Sequence, residues 1–157
     1  MVKVMLSGSW FSPEEESMLA KMKTSLADNK DVTDVYWCLD SQWGNELVED
    51  NPALAKNIEW QEETFLTDIN AIENADVVVA MTVPEHGDTG MAQEVGFAYG
   101  IHKPIVLVVP DDLMKDDSKD AINLMVAKCA TAVIPLSELA SYDLEHIRRR
   151  PYRGRVY

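Results

Sequence analysis

Two short runs, Val77-Val78-Val79-Ala80-Met81 and Ile105-Val106-Leu107-Val108-Val109, are apolar at every position and flanked by helical sequence. A strand with no polar side must be covered on both faces. That happens where crossover helices pack above and below a parallel sheet. The rest of the chain alternates in the same sense, with β-type runs at 2–6, 35–39 and 132–135. Helices are predicted between them. Ser12-Pro13-Glu14-Glu15 has a capping serine, proline at the first helical position and acids in the first turn, starting a helix that runs to Ala27. A long helix over 54–73 places Ile58, Phe65, Ile69 and Ile72 on one buried stripe. Further helices are predicted over 87–99, 120–128 and 137–146. The expected architecture is a single α/β domain spanning 1–157, a doubly wound five-stranded parallel sheet of order 2-1-3-4-5. Strands one and three then adjoin where the winding reverses, and ligands bind beyond their carboxyl ends. Three loops meet there, 7–11, 40–44 and 82–89.

Charge narrows the partners. The chain carries a net charge of −13 over 157 residues, which disfavours phosphate backbones and anionic lipid. Apolar residues at 46% and charged residues at 26% exclude a disordered or fibrous chain. No apolar run approaches the roughly 20 residues of a membrane span, and the first residues lack signal-peptide character. Two cysteines, Cys38 and Cys129, make no disulfide framework, so a cytoplasmic chain is expected. His86, His102 and His146 lack metal-ligand spacing, and no metal or cofactor is expected. All five arginines lie within 148–155. This basic tail, 146–157, either binds nucleic acid or docks on an acidic surface of its own or a neighbouring subunit. The overall charge favours docking, and Pro151, Tyr152, Val156 and Tyr157 offer apolar anchors.

Three carboxylates have unusual addresses. On the helix that follows strand three, positions 91, 94, 95, 98 and 101 share a face and read Met, Glu, Val, Ala, Ile. Glu94 therefore sits in an apolar stripe, where an ionised carboxylate is costly. It either leans outward to pair with a lysine or serves as nucleophile or acid/base beside the crevice. Asp88 fits the N-cap of the same helix and also lines the crevice loop. Asp68 flanks the stripe of the long helix, as a surface acid or as a partner in acid chemistry. Retaining glycosyl transfer requires such a set, one carboxylate to attack and another to protonate the leaving group. Trp10, Phe11, Trp43 and Trp60 would suit a flat heterocycle, or simply fill core and rim. Ser7-Gly8-Ser9 resembles a phosphate cradle, but G-x-G-x-x-G, P-loop and nucleophile-elbow motifs are absent.

Six pieces occur in order: Gly8-Ser9-Trp10-Phe11, Leu39-Asp40-Ser41-Gln42, Asp68-Ile69-Asn70, Asp88-x-Gly90-x-x-x-Glu94-x-Gly96, Ile122-Asn123-Leu124-Met125 and a closing Val156-Tyr157. Together they resemble the nucleoside 2-deoxyribosyltransferase family along the length of the chain. The resemblance implies ping-pong transfer of 2-deoxyribose between nucleobases in nucleoside salvage. It makes Glu94 the nucleophile of a covalent deoxyribosyl intermediate and Asp68 the group that assists proton delivery to the base. It implies that Asp88, Asn123 and the Tyr157 carboxylate hold or enclose the sugar. Gly8 belongs to the first motif, and Gln42, Trp10, Phe11 and Trp60 would frame the base. It also implies a homohexamer, a trimer of dimers, with Asn123, Met125 and the C-terminus supplied by a neighbouring chain. Substrates would be deoxyribonucleosides and free nucleobases. One departure stands out: where the family often has a strand-one tyrosine touching the nucleophile, this chain has Met5 or Leu6. The Leu39–Gly44 loop is similar to that of members accepting purines and pyrimidines, whereas Gly8-Ser9 and His102-Lys103-Pro104 are similar to purine-restricted ones. Two other readings are a hydrolase of deoxynucleosides or their 5′-monophosphates, and a non-catalytic nucleotide-binding domain of flavodoxin-like shape.

Overall fold

A computed structural model describes residues 1–41, 48, 50–84 and 87–157. Five parallel strands form the central sheet: β1 (Val2–Ser7), β2 (Val32–Tyr36), β3 (Val77–Met81), β4 (Ile105–Val109) and β6 (Ala132–Pro135). Their order is β2-β1-β3-β4-β6. This is the expected winding, the fifth strand taking the label β6 because a two-residue strand, β5 (Ala121–Ile122), precedes it. The helices are α1 (Pro13–Asp28), α2 (Ile58–Asn74), α3 (Thr89–Gly100) and α4 (Leu124–Cys129).

Strand alternation divides the core into two layers. Val4 and Leu6 of β1, Val77, Val79 and Met81 of β3, and Val106 and Val108 of β4 face α1, where Met18, Leu19, Met22 and Leu26 cover them. Met5, Val78, Ala80, Ile105, Leu107 and Val109 point the other way, onto Ile72 of α2, Met91, Val95 and Ala98 of α3, and Val126 of α4. Each apolar run thus has a layer on both sides, as its composition demands. Ser12 caps α1 by accepting from the Glu15 N–H at 3.3 Å, and α3 ends at a left-handed His102 (φ 62°) before Lys103-Pro104.

Several expectations are corrected. Strand β2 is Val32–Tyr36 rather than 35–39, and Cys38–Ser41 forms a 3-10 turn. Its pairing with β1 reaches only to Met5↔Tyr36, and as an edge strand it carries Thr33 and Asp34, which dilute the apolar signal. The long helix begins at Ile58, because Asn57 caps it by accepting from the Trp60 N–H, and Pro52–Lys56 is a separate 3-10 turn. Of its expected buried stripe only Ile72 is fully buried; Ile58 and Phe65 are 63% and 57% exposed. The helix packs its C-terminal half on the sheet and leaves its N-terminal half overhanging. Residues 120–128 are not one helix, since β5 pairs in parallel with β7 (Arg155–Val156) and α4 starts only after Asn123. Only Leu136–Ser141 of the last expected helix turns, as a 3-10 segment. The buried Asn29 amide donates to the Leu139 and Tyr142 carbonyls at 2.8 and 3.0 Å, and Asp31 accepts from the Leu144 N–H at 3.1 Å. These bonds divert backbone groups from a helical ladder.

The arginine-rich segment lies along the chain's own core. Arg150 bridges to Ala132 at the edge of β6 and ion-pairs with Glu138, Tyr152 is 5% exposed, and the Arg155 guanidinium donates to the Lys119 carbonyl. Gly154 permits this course, because a Cβ there would lie 2.3 Å from the Tyr152 hydroxyl. No helix among the described residues is long and apolar enough to cross a membrane. Leu107, with no exposed surface at the sheet centre, is the place to test the two-layer core. Leu107→Ala is expected to lower unfolding stability by about 2–5 kcal/mol, read from the urea midpoint at unchanged slope.

Candidate active site

Residues i and i+2 of a strand share a face, so Ser7 follows Met5 towards α3. Met5 is locked in the core with Met91 and Val95. Ser7, at the carboxyl end of β1 and 1% exposed, instead reaches Glu94 on α3, donating its hydroxyl to Oε2 at 2.5 Å. A second pair forms alongside. Tyr36, beside Met5 on β2, donates its phenol to Asp68 Oδ1 of α2 at 2.7 Å. Asp88 caps α3, accepting from the Met91 N–H at 2.5 Å, which places a third carboxylate at the same helix start.

The three carboxylates line a cavity of about 350 Å³ over the carboxyl ends of β1 and β3, with Ser7 and Tyr36 behind two of them. Its lining includes Gly8, Trp10, Phe11, Trp37, Cys38, Asp68, Asp88, Met91 and Glu94. Trp10 packs against Phe11 at 5.0 Å between ring centroids and meets Trp37 edge-on at 5.4 Å. Gly8 lets the loop pass close to β3; a Cβ there would approach Met81 Cβ to 3.1 Å. The loop is held from behind by a buried bond, Ser9 to Glu15 at 2.5 Å. A larger cavity of about 1270 Å³ opens at the opposite end of the sheet, by the amino ends of the strands, lined by Lys103, Lys128, Arg148 and Arg149 among others. Its lysines sit where α3 and α4 end, where cations complement the helix dipoles, and its carboxylates, Asp76 and Glu145, and its aromatic, Tyr99, share the lining with four lysine and arginine side chains.

Burial governs the electrostatics. It pushes the Glu94 carboxyl up to about 7, with the Ser7 hydroxyl pulling the other way and the charges of Asp68 and Asp88 adding to the rise. Asp68 is also raised by burial, against the pull of the Tyr36 phenol. Tyr36 is held well above the ordinary phenol range by burial and by Asp68, and burial pushes the Cys38 thiol up to about 12. The site therefore contains one carboxyl, that of Glu94, able to hold or release a proton near neutrality, in front of aromatic surface.

Glu94, Asp68, Asp88, Gly8, Trp10 and Phe11 come together. Trp60 does not join the lining; it lies on the first turn of α2, its indole N–H buried without a partner among the described residues. Asn123 caps α4 by accepting from the Met125 and Val126 N–H groups, and Met125 is 71% exposed, both outside this cavity. Tyr157 is half exposed, exchanging backbone bonds with Ile122 and Leu124, and its hydroxyl lies near Gly87. Gln42 and Trp43 lie outside the described residues. Tyr36, Trp37 and Cys38 join this cluster without a signal in the sequence, and Ser7, read there as part of a phosphate cradle, bonds Glu94 instead. The Ser7-Gly8-Ser9 run carries a usable signal, a hydroxyl ending an apolar strand at the winding reversal, but its two hydroxyls bind carboxylates rather than standing free as a cradle.

Because the Glu94 carboxyl is raised in the folded state, the native protein holds that proton more tightly than the unfolded chain. Its contribution therefore lowers stability as pH climbs from about 4.5 to about 7 and is constant above. Glu94→Gln removes the buried charge. It is expected to be more stable than the parent at pH 8, by about 2–3 kcal/mol, and to lose that advantage near pH 4. Thermal melts across this range check the sign.

Comparison with known proteins identifies the family. The nucleoside 2-deoxyribosyltransferase family model matches residues 4–125. A nucleoside deoxyribosyltransferase of Lactobacillus johnsonii is 31% identical over 150 residues, covering 94% of this chain and 98% of the relative. That of Lactobacillus leichmannii is 27% identical over 98% of this chain and 97% of its own. The solved 2-deoxyribosyltransferase of the psychrotolerant Bacillus psychrosaccharolyticus superposes with a TM-score of 0.77 at 26% identity, over 96% of this chain and 99% of that one. With its doubly wound sheet and its sequence matched nearly end to end, the chain belongs to the nucleoside 2-deoxyribosyltransferase family.

Proposed function

We propose that this enzyme moves 2-deoxyribose from one nucleobase to another with net retention, through a covalent ester on Glu94. The observation that carries the reading is the Glu94 carboxylate, half-buried, held by one oxygen and lining an aromatic cavity beside Asp68. In the first half-reaction a Glu94 oxygen bonds to C1′ as the C1′–N bond breaks. The electron pair leaves on the base nitrogen, which takes a proton supplied from the Asp68 side. In the second, the incoming base nitrogen bonds to C1′ and gives its proton back to the Asp68 side, the C1′–O bond breaks, and the pair returns to Glu94. A 2-deoxy sugar lacks an electron-withdrawing 2-hydroxyl, so its oxocarbenium-like transition state is reached easily. The cluster of Glu94, Asp68 and Asp88 stabilises the positive charge that develops. Trp10, Phe11 and Trp37 offer surface for the flat base and limit water at the intermediate.

The hydrolytic reading needs a cradle for a 5′-phosphate. The Ser7 and Ser9 hydroxyls are both committed to carboxylates, which favours nucleosides over nucleotides as donors. Mixing deoxyinosine with adenine or cytosine decides: a new deoxynucleoside supports transfer, free deoxyribose alone supports hydrolysis, and the acceptor range defines base preference. Glu94→Ala is expected to lower exchange by several orders of magnitude while the fold survives. Exchange at the parental rate in that variant would remove Glu94 from the mechanism.

The same reading includes a homo-oligomer in the cytoplasm. Ile58, Phe65 and Leu66 of α2, together with Leu124, Met125 and Tyr157, leave large apolar side chains exposed, which suits burial against further copies of the chain. Both cysteines are free thiols, in keeping with a reducing compartment. If Met125 and the chain end complete a neighbouring site, then Phe65→Glu with Leu66→Glu should yield smaller particles by light scattering and parallel loss of exchange. Removing Val156 and Tyr157 should reduce activity more than thermal stability, and unchanged kinetics would count against the terminus belonging to the site.

A further inference from the structure

We infer that Ser7 is the positioning residue for Glu94: its hydroxyl occupies Oε2, leaves Oε1 to meet the sugar, and steadies the carboxylate as it departs in the second half-reaction. The inference rests on the deoxyribosyl-transfer reading above. Met5 cannot serve, since it is buried among Met91 and Val95 and has no proton to donate. Its neighbour Tyr36 gives its phenol to Asp68, so that hydroxyl is engaged elsewhere. Ser7, one step further along the same face of β1, is left to approach Glu94, and its 2.5 Å bond is the only one that reaches the Glu94 carboxylate among the described residues. Its backbone is held between β1 and β3, in register with Ala80, and the side chain is buried, so the hydroxyl has few other directions to point.

The chemistry makes the contact asymmetric between the two steps. A hydrogen bond to the free carboxylate restrains its attack on C1′, whereas the same bond assists C1′–O cleavage, when negative charge returns to that oxygen pair. Losing it should therefore slow release of the sugar to the acceptor more than its capture from the donor.

Rapid-quench kinetics on the intact protein, with deoxyinosine as donor and adenine as acceptor, separate the steps. Ser7→Ala is expected to keep the single-turnover release of hypoxanthine within about threefold at pH 8 and to slow the acceptor step by about tenfold or more. The ester then accumulates as a burst. The acid limb of kcat/KM for the donor should move to higher pH, because the bond that favours the ionised form is gone. Ser7→Thr, which keeps the hydroxyl, should restore both; Ser7→Cys, of nearly the same size and with a weak donor, should fall between and serves if the alanine variant does not fold. Equal slowing of both steps, or no slowing, with an unmoved acid limb would overturn the assignment. Failure of the transfer reading is separable: the parent protein would then exchange no bases, or Glu94→Gln would match it. The Ser7–Glu94 contact is still tested by the 13C titration of the Glu94 carboxyl, where an upward displacement in Ser7→Ala supports it and coincident curves overturn it.

Discussion

A carboxylate kept out of water at the carboxyl end of a parallel sheet is the constraint on which the rest of the structure turns. Removing Glu94 from solvent destabilises its ionised form, and a single hydroxyl, that of Ser7, opposes that effect. Every neighbouring element is arranged around this balance. Strand β1 must end in a small polar residue rather than another aliphatic one, and α3 must begin with a capped turn that sets Glu94 one turn in. The loop after β1 must pass close enough to β3 to leave room above it, which Gly8 allows. Without the capped helix and the two core layers, the carboxylate would relax into water and behave like any surface glutamate.

Two of the three carboxylates of the cavity, Glu94 and Asp68, are handled alike but not identically. Each accepts one neutral hydroxyl donor from a β-strand, Ser7 for Glu94 and Tyr36 for Asp68. Neither is paired with a cation among the described residues, so both remain available to protons. This is a different solution from an ion pair, which would hold a carboxylate ionised and make it a poor proton carrier. It also eases the cost of placing carboxylates together in a chain of net charge −13, since the Glu94 carboxyl can take up a proton near neutrality.

The parallel sheet converts local alternation into this geometry. Met5 and Ser7 face the same side, and Met5 pairs in register with Tyr36, so one face of two adjacent strands delivers an aliphatic anchor, a phenol and a hydroxyl in adjoining positions. The tyrosine that a family resemblance leads one to seek on β1 has no counterpart at Met5. The hydroxyl on the glutamate comes instead from two residues further along.

The amino-acid sequence by itself determined the sheet, its winding and the neighbourhood of the site. Apolar runs at 77–81 and 105–109 could be satisfied only by cover on both faces, and Glu94 within the stripe of Met91, Val95 and Ala98 was legible because an acid there contradicts its surroundings. Asp88 was legible as a cap for a purely local reason. Features set by long-range contact were not. The extent of β2 depended on where β1 stops pairing, and the division at 120–128 depended on a strand more than thirty residues away. The fate of 137–146 depended on the side chains of Asn29 and Asp31. The apolar stripe of α2 was visible as a pattern, yet periodicity cannot say whether such a face meets the sheet or projects beyond it. Likewise Ser7 and Tyr36 are ordinary residues in sequence. Only the tertiary structure gave them their roles, because a hydrogen bond between a strand and a helix 87 residues apart depends on how the layers are stacked.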